Sequence, residues 1–113
     1  MFQKNKSSEL KKDESLLDIP KGFNLEQNTP NPFSTRTTIC FTIPRQCSVK
    51  LVVYSLLEEK VSVLFNGLLS EGKYNITWDG TDSESHRLKN GGYVYFLEAE
   101  SFVASRRMTI IDE

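Results

Sequence analysis

Few side chains in this 113-residue chain could do chemistry. There is one histidine, His86, and there are two cysteines, Cys40 and Cys47. His86 lies in a polar run, SESHRLKN, with no second histidine or cysteine beside it. Catalysis needs an imidazole held by a partner, and a lone loop histidine is far more often solvated. Cys40 sits in TTICFTI, between Thr38 and Thr42 and opposite Ile39 and Phe41. No histidine is placed to act as its base, so a nucleophilic thiolate is not expected. Two cysteines are too few for a disulfide-built scaffold or a four-ligand zinc site. Cys40 falls mid-strand and Cys47 beyond Pro44. The strand rise between them predicts two unbonded thiols. Asp79, Asp82 and Glu84 cluster in sequence but lack the D-x-[DN]-x-[DN]-G run and distal glutamate of a calcium loop. They read as a solvated loop, with calcium the minor alternative. There is no G-x-S-x-G elbow and no glycine-rich phosphate loop. No catalytic residue, cofactor site, small-molecule substrate or metal site is expected.

Charge and hydropathy narrow the classes further. Fourteen basic and 15 acidic residues leave a formal charge of −1. Such a balance makes no field to gather nucleic acid, and none is expected as a partner. No apolar run approaches the roughly 20 residues of a spanning helix. The start, MFQKNKSSELKKDESLLDIP, lacks the ~7–15-residue apolar stretch of a secretory signal. The chain as written is therefore expected to stay inside or to be the tail of a longer exported protein.

The elements that must position these residues are strands. Residues 1–22 are polar and rich in Lys, Glu and Ser, and read as a flexible linker or arm. A helix over residues 9–17 would be marginal alone. From residue 23 to 113, short β-branched and aromatic runs alternate with turn residues. In 37–43, Ile39, Phe41 and Ile43 share one face. Val49, Leu51 and Val53 do so in 48–54, and Val61, Val63 and Phe65 in 60–65. Tyr74, Ile76 and Trp78 do so in 73–78, and Tyr93, Tyr95 and Leu97 in 93–99. Residues 102–111 supply a last strand, and 23–25 a candidate seventh. The spacing predicts an all-β, immunoglobulin-like antiparallel sandwich of about seven strands.

Three short motifs stand out within that frame. Pro30, Asn31, Pro32 and Phe33 form a stiff lead-in, because proline fixes its own φ and extends its predecessor. Phe33 is expected to cap one end of the sandwich. Trp78 reads as the core anchor between sheets, and Asp79-Gly80 as a turn. Arg106 and Arg107 must point to opposite faces of the last strand. One is expected to lie along a sheet edge and the other in solvent.

Together these stretches resemble the C-terminal sorting domains of the type IX secretion system. The resemblance runs through LEQNTPNPFSTRTTICFTIP, then Val53 and Tyr54, then GKYNITWDGTD with Trp78, Asp79, Gly80 and Asp82. It ends on Gly91, Tyr93, Tyr95 and Leu97 before the hairpin to Arg106, Arg107 and Met108. The Ig-like domain of flagellar hook-capping proteins shares this texture. The resemblance implies a non-catalytic tag on an N-terminal cargo domain. Such tags are recognised by an outer-membrane translocon and often removed by a surface protease. Their cargo passes through the periplasm to the cell surface or medium. It marks Pro30, Asn31, Pro32, Phe33, Trp78, Asp79, Gly80, Gly91, Tyr93 and Arg107 as the structural or recognition motif. A structural Ig-like module, or a stranded fragment without independent function, is the alternative. The family carries glycines where this chain has Glu58 and Ser85. Both residues cost steric energy if those turns need positive φ.

Overall fold

The computed structural model describes residues 8–14 and 20–112. Eight strands appear in chain order: β1 (Ser8–Lys12), β2 (Asn24–Leu25), β3 (Thr37–Ile43), β4 (Cys47–Ser55), β5 (Lys60–Leu69), β6 (Gly72–Trp78), β7 (Gly91–Ala99) and β8 (Phe102–Ile110). They form two antiparallel four-stranded sheets, ordered β1-β6-β3-β2 and β5-β4-β7-β8. The chain changes sheet between β3 and β4, between β5 and β6, and between β6 and β7. This is the immunoglobulin-like sandwich that the alternation predicted.

The inward faces are those the period of two assigns. Ile39, Phe41 and Ile43 of β3 oppose Val49, Leu51 and Val53 of β4 in one buried cluster. Ile76, Trp78, Tyr95, Leu97 and Ile110 lie at 0% exposure within it. Trp78 spends its one polar atom on a hydrogen bond from Nε1 to Thr81 O at 3.1 Å. Tyr95 donates from its hydroxyl to Glu26 O at 2.7 Å, so its burial leaves no orphan.

The arm departs from its expected flexibility. Ser8–Lys12 is an edge strand that pairs along β6 from Trp78 to Tyr74. Leu10 packs against the core, and Lys12 Nζ sits 5.8 Å over the Tyr74 ring. A short polar stretch becomes strand here because β6 offers it a complete row of backbone partners. Residues 1–7 and 15–19 of the expected arm lie outside the described residues.

β5 also departs from expectation. Val61, Val63 and Phe65 do not share a face. Leu51 pairs with Phe65, but Val52 pairs with Val63 and Tyr54 with Lys60. Leu64 and Val61 are therefore skipped, as in β-bulges, and each skip reverses the side-chain parity. Ser62 and Leu64 point inward, and Val63 is 42% exposed. Smaller differences concern boundaries. The 23–25 strand shrinks to Asn24–Leu25, and Cys47 belongs to β4 rather than to a loop. Both thiols are free.

The turns at Glu58 and Ser85 keep left-handed backbone without glycine, at φ 66° and 69°. Hydrogen bonds hold both. Glu58 N donates to Ser55 O at 3.0 Å, and Ser85 N to Asp82 O at 3.0 Å. Glu100 in the β7–β8 turn is a third such residue, at φ 57°. Arg45 grips its carboxylate, with Nη2 at 2.6 Å from Oε1.

Candidate recognition site

The motif residues converge on one end of the sandwich, around the C-terminal end of β8. Residues 28–33 reach it from β3. Thr29 and Thr38 exchange backbone hydrogen bonds of 2.9 and 2.8 Å. Asn28, 2% exposed, donates from Nδ2 to Thr37 Oγ1 at 3.0 Å, and Thr37 Oγ1 donates to Pro30 O at 2.9 Å. The peptide bonds before Pro30 and Pro32 are cis.

So anchored, the segment docks on the final strand. Asn31 Oδ1 accepts from Thr109 N at 2.9 Å. Phe33 N donates to Thr109 O at 3.1 Å, and Ile111 N donates to Phe33 O at 2.9 Å. Phe33 thus bridges Ile110 in parallel, while Gly91 pairs with Ile110 from the other side.

Phe33 does cap the end: it is 2% exposed, with its ring 5.9 Å from that of Trp78. Gly80 closes over it at φ 78°. A Cβ there would stand 3.3 Å from Phe33 Cε2 and 2.8 Å from Arg87 Nη1. Only glycine meets both the conformation and the close approach. Asp79 Oδ1 fixes the turn by accepting from Thr81 Oγ1 at 2.6 Å. Tyr93 pairs with Met108, two residues along the ladder from Gly91 and Ile110, and donates to Lys89 O at 2.7 Å.

Arg87 was not singled out in the sequence, yet it fastens two parts of this end. Its guanidinium donates to Asp79 O at 2.8 Å and to Ser34 O. Nothing in the run SESHRLKN distinguishes an arginine aimed at backbone carbonyls from a solvated one. Asn28 was missed for a similar reason, since a polar residue before Thr-Pro carries no periodic signal.

Arg107 stands apart from the rest. It pairs with Val94 and emerges on the outer face of the second sheet, in a groove with Tyr54, Phe96 and Glu58. Arg106 takes the opposite side and runs along the edge, donating to Leu25 O at 3.1 Å. Gln27 Nε2 donates to Arg107 O at 2.6 Å. Residues 25–33 therefore line the free edge of β8 over its last half.

The titratable groups elsewhere have structural partners. Asp82 accepts at Oδ1 from the backbone N–H groups of His86 and Glu84, both at 2.9 Å. The His86 amide chiefly holds its carboxyl below the usual carboxylate range. Cys40 Sγ lies 2.7 Å from Asn75 Oδ1, and burial pushes both thiols up, away from the thiolate. Among the described residues, no group of three His, Cys, Asp or Glu could hold a metal ion. The arrangement offers shape, backbone edges and exposed guanidinium groups, of which that of Arg107 faces the outer groove.

Neither a family model nor a curated protein matches this chain.

Proposed function

We propose that residues 23–113 act as a non-catalytic sorting and anchoring module. It directs an attached exported protein through the outer membrane to the cell surface. The reading rests on the resemblance, whose motif residues, Arg107 apart, meet around one strand end instead of scattering over the surface. The observation that carries it is the clasp of Asn31 and Phe33 on Thr109 and Ile111. It ties the proline motif near the start of the domain to its final strand. A translocon can read such a terminus by shape and by its exposed arginine, without any bond being made or broken by the module.

A reporter fusion tests this. Behind a signal peptide and a reporter, in a host with a type IX system, residues 23–113 should carry the reporter to the surface or medium. Removing residues 107–113 should trap it in the periplasm. That deletion also strips β8 of Met108 and Ile110, both at most 1% exposed, so it damages the fold as well. Arg107→Ala separates the two effects. Loss of an exposed ion costs at most about 1 kcal/mol. A folded Arg107→Ala fusion that stays periplasmic means the side chain is read directly. A full-length fusion that is never exported from a competent host replaces this reading with that of a structural Ig-like module.

A further inference from the structure

The two sheets treat their outer faces differently. β3 turns Thr38, Cys40 and Thr42 outward, and β6 turns Lys73, Asn75 and Thr77. That is the polar face expected of an antiparallel sheet against water. The second sheet breaks the rule. Its outer face carries Val63, Val52, Tyr54, Val94 and Phe96, with Leu56 at the adjoining turn. Val63, Val52 and Phe96 form one continuous cross-strand row. Tyr54 and Phe96 meet edge to face with ring centroids 5.4 Å apart. Val52 is already 3% exposed although it points away from the core. Leu56 lies over Gly92, where an added Cβ would sit 3.2 Å from Leu56 Cδ1. Between this layer and Arg107 runs an open groove of ≈ 420 Å³.

We propose that this face docks face to face on the same face of a second copy of the chain. The charges favour a second copy over an unrelated partner. Lys50 on β4 lies directly opposite Glu98 on β7, both outward. Among the described residues, neither has an ion-pair partner. A two-fold axis parallel to the strands, midway between β4 and β7, exchanges those two strands between copies. It sets Lys50 of each copy against Glu98 of the other, Val52 against Phe96, and Tyr54 against Val94. The two central strands are thus self-complementary in both charge and apolar content, as an isologous interface requires. At the rim the same axis sets Arg107 of each copy near Lys60 of the other, a like-charge pair that weakens the contact. Four strands about 4.8 Å apart and about seven residues long give a footprint of roughly 400–500 Å² per copy. That is below the roughly 800 Å² of a standard interface. The dimer is therefore weak and concentration-dependent. It does not depend on export.

Sedimentation velocity of the full chain, from micromolar to millimolar concentration, reads the association. The mass should rise from 12.9 kDa toward twice that value. Lys50→Glu alone and Glu98→Lys alone should each weaken association by about tenfold or more, because like charges then face each other. Circular dichroism at low concentration checks that both variants remain folded. Mixing the two variants is the decisive arm. In the mixed pair, one copy carries glutamate at both positions, 50 and 98, and the other carries lysine at both. Each contact across the axis then joins opposite charges, so association should return in the mixture alone. Val63→Glu should weaken association without any rescue by mixing. A chain that stays monomeric at all concentrations overturns the proposal. So does a dimer indifferent to the single charge changes, or a mixture that associates no better than its components.

Discussion

At 0% exposure, with Phe33 against its ring, Trp78 joins the core to the capped end of the sandwich. Trp78→Ala should destabilise the domain by about 3–5 kcal/mol. Urea unfolding followed by circular dichroism would measure it, and an unchanged midpoint would mean that the indole is not buried. Glu58 makes a prediction of the opposite sign. A left-handed backbone costs an L-residue roughly 1–2 kcal/mol, and glycine almost nothing. Glycine also brings more freedom to the unfolded chain, which removes part of that gain. Glu58→Gly should therefore raise stability by up to about 1 kcal/mol, read as a modest rise in urea midpoint at unchanged slope. Tyr95 predicts a pH dependence. Its phenol is buried and its pKa is raised above the ordinary 10.0, chiefly by burial. Below pH 10.0 the folded and unfolded states both hold the proton, and the contribution is intact. Above it the unfolded state ionises first, binds fewer protons, and stability falls. Thermal midpoints should drop as pH rises past 10.0, and less steeply in Tyr95→Phe.

Strands follow the same logic one level up, and here the bulges of β5 matter most. Alternation read along β3, β4, β6 and β7 assigns the correct inner faces, because each runs without interruption between turns. β5 defeats the same reading, since an extra residue inverts every side chain beyond it. Ser62 inside and Val63 outside is the inverse of what hydropathy alone selects. β1 was illegible for another reason. SELKK has no apolar alternation, and its strand character comes from β6, about 70 residues away, which local sequence cannot report. The turn chemistry was more legible, because glycine-specific conformations at Glu58 and Ser85 follow from the resemblance and are present. The clasp at the end of β8 was half legible. Its proline motif is plain, whereas Arg87 and Asn28 act through backbone carbonyls and leave no pattern. An element-scale test concerns β1. Deleting residues 1–13 should leave the near-UV spectrum largely native but uncover the β6 edge from Tyr74 to Trp78. Light scattering should then show faster aggregation than in the full chain, as expected of a bare edge. Equal scattering would mean that β1 protects nothing.

Taken whole, the molecule is held together by partners distant in sequence. Ser8 pairs with Trp78, Phe33 with Ile110, and Gly91 with Ile110. Loops of this size must close before any of these pairs form, so refolding should occupy milliseconds to seconds. Stopped-flow fluorescence of Trp78 would follow it, and a microsecond phase carrying the full amplitude would contradict it. The double grip on Ile110 also has a mechanical meaning. A terminal strand held by one neighbour peels one bond at a time from its free end. Here a pull at the C-terminus meets β7 on one side and Phe33 on the other within the same residues. The greatest resistance lies at the start of the pull. Once Ile111 and Thr109 let go of residues 31–33, β8 keeps its full ladder only on the β7 side. The tail is therefore stiffest at its tip: the clasp opens only above a threshold load, and beyond it β8 peels from β7 one bond at a time.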